Sequence, residues 1–300
     1  MTAIKKIPWL TAGGLIYVFL FLLFNETVTE AVRNGLLLCA RAVIPSLFPF
    51  LVLSGILTPL LKTASLPFSK TFSRLFRLSA IGLAPCLIGA LCGFPIGVVT
   101  VAELYRAGDI EKEEAVRLAS LAANTGPAFA VAAIGQGLFG SARLGWQLYF
   151  LQLLSSFLLG LLETRRAPRP HSHGNATRAA TAVPLPEAIY RASLTMLTVT
   201  GTVLFFSALA AIPALLLPPW LSALLSAFLE VGTGTAAAAR LPLALGIPIA
   251  AFALSFSGLS VLLQSSGALS AANLPQRHLY QRKLCQGLLA SLLSIPLLWI

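Results

Sequence analysis

The chain has 300 residues, 57 % of them hydrophobic and 10 % charged, with a net charge of +11. Soluble domains carry about 25 % charged residues, so the composition excludes a soluble domain and reads as an integral membrane protein. The apolar runs are long and continuous, which predicts helices rather than an alternating barrel. The basic residues lie between those runs, where anionic lipid and the positive-inside rule place them, and no interleaved basic and aromatic surface for nucleic acid is present.

Lys5 and Lys6 precede an apolar run over residues 9–24. No small-x-small cleavage site follows, so this run reads as an uncleaved first span. The next run, 34–61, holds Arg41 and two prolines four apart, Pro45 and Pro49, which predict a bent or broken helix. Over 66–78, Phe68, Phe72, Leu75 and Phe76 share one helical face, with Lys70, Arg74 and Arg77 opposite. That pattern predicts an amphipathic helix lying at the bilayer interface.

The run 79–104 is interrupted by Gly93-Phe94-Pro95-Ile96-Gly97. Proline lacks the backbone donor and crowds the preceding turn, and glycine loosens the chain around it. Hydrocarbon tolerates freed backbone groups only where protein or a water-filled cavity satisfies them. The stretch is either a discontinuous element of the kind that carries transport sites or a kinked helix packed through small residues. Asp109 is expected to cap a soluble helical turn in which Glu113 pairs with Arg117. The run 118–139 is interrupted by Asn124-Thr125-Gly126-Pro127, and 144–162 is a cleaner span.

Residues 163–186 carry Arg165, Arg166, Arg169, Arg178, His171 and His173, and such a segment cannot bury a core. Apolar runs then cover 187–217, 220–241 and 242–263, and 284–300 follows a polar, basic stretch at 276–283. The second of these runs holds Glu230 in LEVGTGT, and the third holds SFSGLS at 255–260. Cys39, Cys86, Cys92 and Cys285 show no CxxC spacing and read as free thiols.

The linker divides similar halves, with Gly97 corresponding to Gly234 and Gly126 to Gly258. If every apolar run crosses the membrane, the basic residues split evenly between the two sides. If 79–104 and 220–241 instead dip in and return, nearly all fall on the cytoplasmic side, leaving Arg33, Arg143 and Arg240 outside. The reading is therefore an all-α polytopic membrane protein with seven crossings and two re-entrant hairpins. It comprises an N-terminal transmembrane helix (1–33), a first repeat (34–163), a basic cytoplasmic linker (164–186) and a second, inverted repeat (187–300).

A carboxylate inside a span costs about 3 kcal/mol on insertion scales unless it is paired, protonated or wet. Glu230 thus reads as a proton, cation or solute-amine site, or as the partner of Arg41 in a structural ion pair. Asn124, Thr125, Ser255, Ser257, Ser260 and Gln264 lie at corresponding depths. They bind a solute, or they join helices at roughly 0.6 kcal/mol each. The predicted backbone breaks are Gly93, Pro95 and Gly97, then Gly126 and Pro127, then Gly232 and Gly234, and finally Gly258. No Walker loop, HExxH or GxSxG is present, so no enzyme, metal or cofactor is implied.

Five motifs occur in order: IPSLFPFLVLSGIL (44–57), GFPIG (93–97), NTGPAF (124–129), LEVGTG (229–234) and SFSGLSVLLQ (255–264). In these the chain resembles the YlbJ family of sporulation integral membrane proteins, built from nucleoside-recognition (gate) domains. The resemblance implies an endospore-forming bacterium, a multi-pass cell-membrane protein needed for the spore envelope, and kinship with gate domains of nucleoside and ferrous-iron transporters. The expected function is a solute permease acting in spore cortex formation. The alternative is a non-transporting assembly factor for the envelope machinery. The residues name no solute, and they leave open a second copy or another sporulation membrane protein as partner. Single-cysteine labelling tests the topology. A cysteine in the 106–117 loop is expected to react only from the cytoplasmic side and one at Ser141 only from outside; labelling of 106–117 from outside refutes the hairpin reading.

Overall fold

In hydrocarbon, backbone donors and acceptors must pair within the chain. Every regular element among the described residues is a helix. A computed structural model describes residues 7–63, 66–164 and 183–299. Lys5, Lys6 and the linker's Arg165, Arg166, Arg169, Arg178, His171 and His173 lie outside the described residues.

Helix α1 (Ile7–Leu23) turns at Phe24 into α2 (Asn25–Leu38). Leu15, Ile16, Val18, Phe19 and Leu22 of α1 are all exposed, as on a helix apolar all round that meets lipid. A π-helical turn, Cys39–Val43, joins α2 to α3 (Ile44–Thr63). The expected break at Pro45 and Pro49 does not occur, because the helix is continuous over Asn25–Ile56. The ring of Pro45 would crowd the carbonyl four residues back, that of Arg41, and the widened π turn contains that carbonyl. The helix also begins ahead of the expected boundary at residue 34.

Helix α4 (Ser69–Phe76) is amphipathic as expected. Lys70, Arg74 and Arg77 face outward, while Phe76 is buried and meets Phe157 edge-on at 5.2 Å. Only part of the aromatic face looks away from the protein, with Phe68 80 % exposed. The chain then bends by 102° into α5 (Leu83–Cys92), and α6 (Ile96–Arg106) and α7 (Lys112–Ala122) follow. Glu111, not Asp109, precedes the first turn of α7. Arg117 does not pair with Glu113 but donates to the carbonyls of Phe76 and Arg77 at the end of α4. Those carbonyls are orphaned by the helix end and carry its partial negative charge, so a guanidinium suits them. Glu114 accepts from both the N–H and the hydroxyl of Ser79 at 2.6 Å.

Non-helical residues 123–126 lead into a π-helical segment, Ala128–Gln136, and then α8 (Ala142–Thr164). Beyond the linker come α9 (Leu185–Leu216), α10 (Pro219–Leu229), α11 (Val231–Ala238), α12 (Leu243–Phe256), α13 (Gly258–Ala271) and α14 (Arg277–Leu293). Both sides of the linker thus show one order of parts: a long helix, a helix pair, an interrupted helix and a closing helix. Each pair, α5 with α6 and α10 with α11, folds back on itself where small residues cross. A Cβ on Gly97 would lie 2.7 Å from Gly89 Cα, and one on Gly234 would lie 2.2 Å from Ala227 Cα. Helices in lipid gain little from hydrophobic exclusion, so such close backbone approach supplies the packing.

Among the described residues, four helices are long and apolar enough to cross a bilayer: Asn25–Ile56, Ala142–Thr164, Leu185–Leu216 and Leu243–Ala271. The remaining expected crossings fall on α1, on the interrupted 112–136 segment and on α14, which are shorter or more polar. Close packing generates a stability prediction. A Cβ on Gly89 would sit 1.8 Å from the Ala122 carbonyl oxygen, whereas Gly201 has nothing within 4 Å. Gly89→Ala is expected to destabilise the protein by at least about 1–3 kcal/mol, and Gly201→Ala to be neutral or stabilising by up to about 1 kcal/mol. Thermal unfolding in detergent checks both.

Candidate functional site

The four backbone breaks meet in two pairs. Helix α5 ends at Gly93, whose φ of 80° lies in the left-handed region that favours glycine. A Cβ there would come within 2.8 Å of the Gly126 nitrogen. The Phe94–Pro95 peptide beside it is cis. On the other side of the linker, α10 ends at Glu230 in extended backbone, against Gly258 at the α12–α13 break. A Cβ on Gly258, where φ is 72°, would lie 2.9 Å from the Val231 nitrogen. Gly93, Gly126 and Glu230 line one cavity of about 40 Å3, joined by Ser260 just past Gly258, with room for roughly three water molecules. Valines from the first long helix and from α9 complete its wall: Val43 on one side, Val199 and Val203 on the other.

Buried amides satisfy the first break. The Gln152 side chain accepts from the Thr125 N–H at 3.1 Å and donates to the Thr125 carbonyl at 2.6 Å. Gln286 donates to Asn124 Oδ1 at 3.2 Å and to the Gln152 carbonyl at 3.0 Å. Asn124 donates to the Leu121 carbonyl, and the Thr125 hydroxyl donates to that of Leu254 at 2.8 Å. Lys283, fully buried, donates to the Ala123 carbonyl at 2.6 Å and to Gln286 Oε1 at 2.9 Å. Ala123 ends α7, so the ammonium caps the negative end of that half-helix. Arg282 beside it pairs with Glu163 at 2.7 Å. Sequence reasoning placed Arg282 and Lys283 in a cytoplasmic loop and missed Gln152 and Gln286. The signal available was Lys283 and Gln286 three apart within one helical stretch, facing the same way.

A carboxylate holds the second break. Glu230 is 2 % exposed, and its Oε2 accepts the Thr233 N–H at 2.6 Å, capping α11. Gly232 must lack a side chain here, since a Cβ would meet Oε2 at 3.1 Å and Leu38 Cδ2 at 3.2 Å. The ion pair with Arg41 does not form. Arg41 is exposed on the π-helical turn, while Cys39 of the same turn is fully buried within electrostatic reach of Glu230. Arg41 also stands outside the cavity and is not part of a binding set.

Of the other predicted residues, Thr125, Ser260, Gln264, Gly93, Gly126 and Gly232 line the cavity with Glu230. Asn124, Ser255 and Ser257 are buried behind the wall, and Pro127 opens the π-helical segment. Gln264 donates to the Thr202 hydroxyl at 2.9 Å. The hydroxyls of Thr233, Ser255, Ser257 and Ser260 are buried with no hydrogen-bond partner among the described residues.

Long apolar helices, interrupted helices and a small cavity at their breaks define a multi-pass α-helical membrane protein. The chain is 26 % identical to the sporulation integral membrane protein YlbJ of Bacillus subtilis (strain 168) over 318 residues, covering 90 % of this chain and 77 % of that protein. This bears out the resemblance read from the five motifs: the chain is YlbJ-like. Comparison with protein-family models gives no match, and neither does comparison with solved structures.

The two kinds of polar contact predict different costs. Gln152→Leu strands two buried backbone groups and is expected to destabilise by about 2–4 kcal/mol, while Gln264→Leu removes one side-chain bond and costs at most about 1.5 kcal/mol. Equal losses for the two in thermal unfolding would refute this division between frame and cavity wall.

Proposed function

We propose that this chain is a permease for a small solute in a bacterial cell membrane, acting in formation of the spore envelope, its cortex included. The observation that carries this reading is the convergence of backbone breaks from both sides of the linker around one cavity whose mainly apolar wall carries Glu230, Thr202, Ser260 and Gln264. Discontinuous helices meeting near the midplane are the usual architecture of transporter sites. The sporulation role is supported by the relative's printed description as a sporulation integral membrane protein. In this reading the two halves are inverted repeats, α5–α6 and α10–α11 are re-entrant hairpins entering from opposite faces, and the N-terminus and linker are cytoplasmic. Rocking of one half against the other would expose the cavity to each side in turn. A nucleoside is larger than the cavity, so a solute of that size requires the hairpin tips to part.

Purified full-length protein tests the proposal by thermal unfolding against nucleosides, nucleobases and amino acids. A solute present at a hundred times its Kd adds about 2.7 kcal/mol, a shift of several degrees. Gln264→Ala is expected to abolish the shift and to impair spore formation while the protein stays folded and localised. If no compound shifts the transition, and spore formation tolerates Gln264→Ala but fails when Phe68, Lys70 and Arg74 of the surface helix are replaced, the assembly-factor reading takes its place.

A further inference from the structure

Glu230 is a buried carboxylate with no salt-bridge partner among the described residues. Every other residue lining its cavity is neutral. Arg41 points away, and Lys283 is engaged with Ala123 and Gln286. An unpaired buried charge is costly, so the site calls for a positive charge from outside the chain. The rest of the polar lining offers oxygen atoms. The Ser260 hydroxyl is 1 % exposed, lines the cavity and has no partner among the described residues. The Gln264 nitrogen is bound to Thr202, which leaves its Oε1 as an acceptor. Thr202 donates its own proton to the Thr198 carbonyl, so its oxygen presents a lone pair. On Glu230, Oε2 accepts the Thr233 N–H at the partial positive charge that opens α11.

An all-oxygen set suits a hard cation. The described residues hold no group of three or more His, Cys, Asp or Glu side chains, which sets a transition-metal site aside. One carboxylate balances one positive charge, and a volume of about 40 Å3 admits a small ion with one or two waters. We infer that the cavity binds a sodium ion, with Glu230 supplying the charge and Ser260, Gln264 and Thr202 the neutral oxygens. The inference rests on the solute-site reading of this cavity and makes sodium its coupling ion. Ser257, whose buried hydroxyl also has no partner among the described residues, flanks the same break and stands ready to ligate as it adjusts.

The test uses purified full-length protein in choline chloride, KCl or NaCl at equal ionic strength, at two pH values. Sodium is expected to raise the unfolding temperature by several degrees and saturably, with potassium giving much less. Ser260→Ala is expected to weaken the sodium response about ten-fold, and Glu230→Gln to abolish it. Should Glu230→Gln fail to fold, the wild-type ion comparison and Ser260→Ala still decide. A response equal in sodium and choline overturns the inference, as does a sodium response untouched by either substitution. Stabilisation that grows as pH falls in choline alone assigns a proton to Glu230 and overturns it as well. Shifts by organic solutes without any sodium effect refute the sodium site and leave the permease reading intact. A sodium effect with no organic solute bound supports the sodium site and removes the permease reading.

Discussion

A helix interrupted inside an apolar environment leaves N–H and C=O groups that nothing nearby will hydrate, and this constraint governs the structure. The chain meets it by bringing breaks together. Gly93 lies on Gly126 and Glu230 on Gly258, so the irregular backbone of one element is covered by that of another. Once two pairs of breaks are placed in this way, the long helices Asn25–Ile56 and Leu185–Leu216 close around them. The cavity is what remains between two solutions to the same backbone problem.

The two solutions use different chemistry. At the first break, amides and an ammonium from α8 and α14 saturate the exposed groups, and little is left to bind anything else. At the second, a single carboxylate caps a half-helix, and several hydroxyls nearby remain without partners. The polar residues at the two breaks are therefore unequal in role. Asn124 and Thr125 belong mainly to the frame, whereas Glu230, Ser260 and Gln264 hold the unspent hydrogen-bonding capacity.

Much of this was legible in the sequence because its causes are local. Glycine beside proline marks a break wherever it falls, a lone carboxylate in an apolar run marks a special environment, and aromatics alternating with cations marked α4. What escaped depended on neighbours distant in the chain. Lys283 sits beside Arg282 in a basic stretch and looks like a solvated loop residue until α7 ends against it. Arg41 looked like the partner of Glu230, but a π-helical turn changes which side chains share a face, and Cys39 took the inward position. The continuity of the helix through Pro45 has the same origin. Arg117 was drawn from its helical neighbour by carbonyls at the end of α4, which no spacing rule within 109–117 could reveal.

The contact between Gly93 and Gly126 differs in kind from ordinary core packing. At Gly160, an added Cβ would press on the side chains of Leu121 and Phe76, and smaller residues at those positions would make room for it. At Gly93 the obstructing atom is the nitrogen of Gly126, and in return Gly126 is bounded by the nitrogen of Gly93 and the carbonyl oxygen of Leu91. Main-chain atoms cannot be trimmed by changing a codon. No second substitution compensates the first, so a lineage carrying this fold has no stepwise route by which either position acquires a side chain and the two breaks stay where they are.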